Sequence, residues 1–137
     1  MSVRAAAAVV AAIGVLVSAG AAGAAAADAE KGRALAEAHC SRCHVVGTYN
    51  AFGGANNTAS FQMIIRMSDG LERFQTFYAR PPHPVFIRIP GIAAWSNAPA
   101  NAAEISLTLD QVNDIATFAR TLEKVPIRRK SNQPRHP

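Results

Sequence analysis

Hydrophobic positions begin as an unbroken Ala/Val-rich run, then take up helical spacing, disperse into a polar loop, and return in helical register near the carboxyl end. In "DAEKGRALAEAHC", residues 28–40, Ala and Leu alternate with charged residues. Asp28 supplies an N-cap and Glu30 puts an acid in the first turn, so the segment predicts a helix that delivers Cys40 at its end. Periodicity then disappears in "VGTYNAFGGANNTA", residues 46–59, whose glycines and asparagines predict a loop. Ser60 caps a short helical piece, "FQMIIRM". A further helix follows in "SDGLERFQTFYA", where Leu71, Phe74 and Tyr78 share a face. The four prolines of "ARPPHPVFIRIPG" predict a stiff, extended and irregular segment. The clearest periodicity comes last, in "TLDQVNDIATFARTLEK". Thr108 and Gln111 form a capping-box pair, Val112, Ile115, Ala119 and Leu122 form an apolar stripe, and Pro126 ends the helix. No segment carries strand alternation, and the fold class expected is all-α with long loops.

The opening apolar run has a different meaning. Residues 1–27 start with Arg4, continue without charge, and close in small residues with an A-x-A site at Ala25-Ala26-Ala27. That is the pattern of a secretory signal peptide cleaved before Asp28, with an uncleaved membrane anchor as the alternative. The expected organisation is therefore a signal peptide over 1–27, one domain over 28–125 and a basic disordered tail over 126–137.

A domain this small exposes much of its surface, and an additional stabiliser is expected. Losing Arg4 with the leader lowers the net charge from +5 to +4, a balance that favours encounter with acidic partners. The basic residues are scattered through the body, which argues against nucleic acid. The one cluster, Arg128-Arg129-Lys130, lies in the tail "PIRRKSNQPRHP". It reads as a solvated end, with docking to an acidic partner or a membrane surface as the alternative.

The chain's two cysteines stand together in "AHCSRCHVV". Cys40-Ser41-Arg42-Cys43-His44 matches C-x-x-C-H, the covalent haem attachment motif. One turn of backbone sets two thiols to reach the two vinyl groups of one porphyrin, and the next residue places an imidazole beneath the iron. The cofactor expected is one haem c, carried by Cys40 and Cys43, with His44 as the axial ligand of its Fe. Three other readings compete. A thioredoxin-like redox pair wants a βαβ context, a structural zinc site wants ligands from separated segments, and a disulfide between Cys40 and Cys43 closes a very small loop. His39 reads as an exposed helix-end residue.

With "GRALAEAHCSRCH", "TASF", "PPHP" and "DQVNDIATFARTL" in this order, the chain resembles the small soluble monohaem cytochromes c of bacteria over residues 28–124. The resemblance implies three to four helices around a covalently bound haem, with an N-terminal helix crossing a C-terminal one. Gly32 matches the small residue of that crossing and Phe118 its aromatic partner. Trp95 is either a donor to the haem propionates or a buried apolar ring.

The chain departs from its relatives on the far side of the iron, where they place a methionine. Aligned on His83-Pro84 that position is Phe86; aligned on Pro90-Gly91 it is Ala94. Four outcomes stay open for the sixth site: His83, an open or water-bound iron walled by Phe86, a sulfur from Met63 or Met67, or another donor. The function expected is single-electron transfer in the periplasm, not enzymatic turnover. The partners expected are redox proteins such as a dehydrogenase, a membrane complex or an oxidase. The alternatives are an open-site haem protein that binds a small ligand or peroxide, and a haem subunit of a larger respiratory or dehydrogenase complex.

Overall fold

Asp28 begins the first helix, α1 (Ala29–His39), by accepting hydrogen bonds on its carboxylate from the amides of Glu30 at 2.9 Å and Lys31 at 3.2 Å. At the other end of the chain, α4 (Leu109–Thr121) opens with the complete capping box: Thr108 N–H donates to Gln111 Oε1 at 2.8 Å, and Gln111 N–H donates to Thr108 Oγ1 at 3.2 Å. Both caps satisfy amides that would otherwise lack partners, so both helices start where the sequence places them. The predicted stripe of Val112, Ile115, Ala119 and Leu122 is buried throughout. The computed structural model describes residues 26–55, 57–94 and 102–127. Residues 1–25 of the expected leader, Trp95 and the Arg128-Arg129-Lys130 cluster lie outside them.

The two terminal helices pack against each other, and Gly32 is the reason they approach so closely. A Cβ at Gly32 would fall 1.9 Å from the carbonyl oxygen of Asp114, so the two backbones meet with no space for a side chain. The small residue of the expected crossing is thus in position. Its immediate neighbour is the Asp114–Ile115 backbone, while Phe118 is buried one turn further along.

Between them, α2 (Phe61–Ile65) and α3 (Gly70–Thr76) form a short bent pair. Gly70 lies on the C-terminal carbonyls of α2, where a Cβ would come within 2.4 Å of Ile64 O. The expected face of Leu71, Phe74 and Tyr78 is only partly realised. Phe74 is buried, but Leu71 is 37% exposed and Tyr78 half-buried. The cause is local: α3 stops at Thr76 and tightens into a 3-10 turn, Phe77–Ala79, so helical register does not reach Tyr78.

The proline-rich segment is more ordered than its composition predicts. It contains a 3-10 turn, His83–Val85, and then a two-residue strand, β1 (Ile87–Arg88), that pairs in parallel with β2 (Ile105–Ser106). Strands this short cannot display a period of two, which is why pattern alone found none. Their ladder is extended by Ile105 N–H to Phe86 O at 2.8 Å and Leu107 N–H to Arg88 O at 3.0 Å. These bonds tie the His83 turn to the chain entering α4. The described residues are otherwise helix and loop, consistent with the all-α class. No helix among them is long and apolar enough to cross a membrane.

Candidate functional site

The C-x-x-C-H residues occupy the turn that ends α1. Cys40 is the C-cap, and its carbonyl accepts from Cys43 N–H at 3.1 Å and His44 N–H at 2.9 Å, so the two thiols and the imidazole belong to one turn of backbone. Asn50 locks that turn from the following loop. Its Oδ1 accepts from Val46 N–H at 2.7 Å, and its Nδ2 donates to Ser41 O and His44 O, both at 2.8 Å. Gln62, fully buried at the start of α2, donates Nε2 to Gly47 O at 2.9 Å and anchors the same loop. Neither residue is marked by the sequence pattern. An Asn in a Gly/Asn-rich loop looks like turn chemistry, and nothing local distinguishes one that bridges nine positions.

Replacing Asn50 with alanine strips partners from the buried Val46 amide and from two carbonyls. The expected cost is roughly 2–3 kcal/mol, read as a lower midpoint in equilibrium unfolding. Asn50→Asp keeps the acceptor but faces two carbonyl oxygens with a carboxylate, and it is expected to recover none of that loss.

The two cysteines are free thiols, Cys40 half-buried and Cys43 exposed. Burial pushes the Cys40 thiol up to about 12, with a smaller contribution from Cys43. A redox C-x-x-C pair needs the opposite, a depressed thiol, commonly at a helix N-terminus. Cys40 lies at a helix C-terminus, where the dipole disfavours a thiolate. The thioredoxin-like reading therefore lacks both its fold context and its chemistry.

His83 comes to face His44 across 39 residues of sequence. Their ring centroids are 6.0 Å apart and their planes differ by 10°. Each ring is half-buried and oriented by a backbone carbonyl: His44 Nδ1 lies 2.7 Å from Ala59 O, and His83 Nδ1 lies 3.1 Å from Arg80 O. A carbonyl oxygen only accepts, so Nδ1 carries the proton in both rings and the Nε2 lone pair is left available. This is the arrangement of metal-ligating histidines, whose other ring nitrogen donates to a carbonyl or carboxylate. Burial, the largest effect at each ring, lowers both imidazoles below their ordinary pKa. The hydrogen bonds to Ala59 and Arg80 partly oppose it. Neutral imidazole, the form that binds a metal, is the form favoured.

The two rings are stacked, and their 6.0 Å separation lies within the range of offset aromatic pairs. Aromatic side chains hold both rings. Phe61 meets His44 edge-on at 5.6 Å, while Phe77 and Phe86 meet His83 edge-on at 5.6 and 5.8 Å. Phe86, at the aligned methionine position, thus serves as packing for the histidine.

The remaining sequence-proposed donors are placed differently. Met63 and Met67 are 47% and 39% exposed on and just after α2, and Ala94 and His39 are also exposed. No group of three or more His, Cys, Asp or Glu side chains gathers as a metal cage among the described residues. A cavity of about 440 Å³ is lined by Val45, Thr48, Ser60, Gln62 and residues 125–127, and by none of the thiols or imidazoles discussed here. Comparison of the chain with protein-family models, with curated proteins and with solved structures finds no match.

Proposed function

We propose that the protein is an exported c-type cytochrome of the periplasm that carries single electrons on one covalently bound haem. The observation that carries this reading is the pair of neutral, carbonyl-oriented imidazoles of His44 and His83, 6.0 Å apart and nearly parallel, beside a turn bearing Cys40 and Cys43. Cys40 and Cys43 would hold the haem through thioethers, and His44 and His83 would be its axial ligands. The haem supplies Fe(III)/Fe(II) cycling; what the chain supplies is fixed geometry and restricted access for water. Two imidazoles held by backbone carbonyls and flanking aromatics would keep the same positions in both oxidation states. That constancy suits an electron shuttle, and bis-imidazole ligation gives a lower potential than a histidine–methionine pair. The packing of α1 on α4 through Gly32 supports the cytochrome c-like architecture implied by the sequence resemblance. Redox proteins are the natural partners, in small and transient contacts.

The test is exported material from cells competent in cytochrome maturation. Its intact mass should exceed that of the bare polypeptide by one haem, and its ferrous spectrum should show sharp low-spin bands that carbon monoxide leaves unmoved. A bare polypeptide mass rejects covalent haem. A haem-loaded protein with a high-spin spectrum that shifts at once in the gas rejects the bis-imidazole shuttle and favours an open-site ligand binder.

A further inference from the structure

Asp114 is an acid in the wrong place for a surface charge. It lies on the face of α4 that meets α1, is 9% exposed, and has Ile115, Ala116 and Phe118 buried beside it. A carboxylate at that depth is costly unless a cation or several donors compensate it. Among the described residues it forms no ion pair, and its side chain makes one hydrogen bond, accepted by Oδ1 from the backbone nitrogen of Asp28 at 2.7 Å across 86 positions of sequence.

That nitrogen is the atom the A-x-A site would expose. Ala26 and Ala27 are exposed and outside regular structure, Asp28 is extended, and α1 starts at Ala29. We infer that the exported chain begins at Asp28 and that Asp114 is the acceptor for its α-ammonium. The inference rests on the export reading above, and is independent of the haem. A signal peptidase hydrolyses the Ala27–Asp28 peptide bond with one water. Ala27 leaves with a carboxylate, and Asp28 keeps an amine that is protonated at neutral pH. The neutral N–H donor then becomes a charged one, and the hydrogen bond becomes charge-assisted at the place it already occupies.

The surroundings explain why a second carboxylate is needed. An ammonium at the N-terminus of α1 faces the positive end of the helix dipole. The carboxylate of Asp28 is already engaged with the amides of Glu30 and Lys31, and lies 3.6 Å from Lys31 Nζ. Asp114 supplies the missing negative charge, and the new terminus supplies the cation that Asp114 lacks. The hydrogen bond between Asp28 and Asp114 is therefore charge-assisted only in the processed chain. The precursor buries the same acid against a neutral amide.

Amino-terminal sequencing of the exported protein, with denaturant unfolding of four versions, tests this. The versions are the exported chain and one with four Gly and Ser residues inserted between Ala27 and Asp28, each with Asp114 and with Asp114→Asn. The first residue should be Asp28, and Asp114→Asn should lower the folding equilibrium constant about tenfold more without the insert than with it, the difference between a charged and a neutral hydrogen bond. A chain starting elsewhere, or equal losses in both backgrounds, overturns the inference while leaving export intact. A retained leader overturns the inference too, and leaves the chain anchored through residues 1–27.

Discussion

Replacing His83 with alanine is expected to turn the proposed haem-loaded ferrous protein from low-spin to high-spin and to open its iron to carbon monoxide, while the covalent haem mass stays unchanged. The reason is positional. His83 is held by its Nδ1 hydrogen bond to Arg80 O and by the edges of Phe77 and Phe86, and its ring centroid lies 6.0 Å from that of His44. Removing the ring leaves a pocket of its own volume lined by those aromatics, and none of them can donate to a metal. Added imidazole should enter that pocket and restore the low-spin bands. His83→Met should keep them and raise the reduction potential, because thioether ligation favours Fe(II) relative to a second imidazole. Low-spin bands that survive His83→Ala without added ligand would show that another residue completes the iron, and Met63 or Met67 would then be the next variants to make.

Gly32→Ala should be among the most destabilising single-methyl changes in the chain. Taken alone, the substitution favours a helix by about 1 kcal/mol, since alanine loses less backbone freedom than glycine. Packing decides the opposite sign here. The added methyl would sit 1.9 Å from Asp114 O and 2.3 Å from its carbonyl carbon, atoms of a helix backbone that cannot rotate aside. Overpacking of this kind costs 1–3 kcal/mol even where side chains can yield. A net loss of roughly 3 kcal/mol, equivalent to a fall of about 12–24 °C in Tm for a domain of this size, is the expected result of a thermal melt. The same variant should separate Asp28 from Asp114, so the pairing of the terminus would weaken with it. An unchanged or raised Tm would mean that α1 and α4 do not meet at Gly32.

Several features follow from short stretches of sequence because their causes are local. Asp28 and Thr108 cap helices with their own neighbouring amides, and the apolar stripe of α4 repeats with the helical period, so both long helices were legible with nearly their observed limits. Cys40, Cys43 and His44 are contiguous, and their spacing within one turn is itself the signal. The expectation of a leader is equally local, resting on a run of composition that ends in small residues.

Tertiary structure decided the rest, because the groups involved are distant in sequence and ordinary in type. His83 sits in a proline-rich segment that carries no periodicity. Only the pairing of β1 with β2 and the 3-10 turn bring its ring opposite His44. Asn50 and Gln62 anchor the loop after the C-x-x-C-H turn through backbone atoms that no pattern marks. Asp114 looks like a surface acid of α4 until α1 covers it and brings the Asp28 nitrogen within 2.7 Å. The expectation of haem attachment rests on five consecutive residues, whereas only the fold places His83 opposite His44 and leaves Met63 and Met67 exposed. Periodicity reports the face a residue presents, but not the distant residue that face will meet.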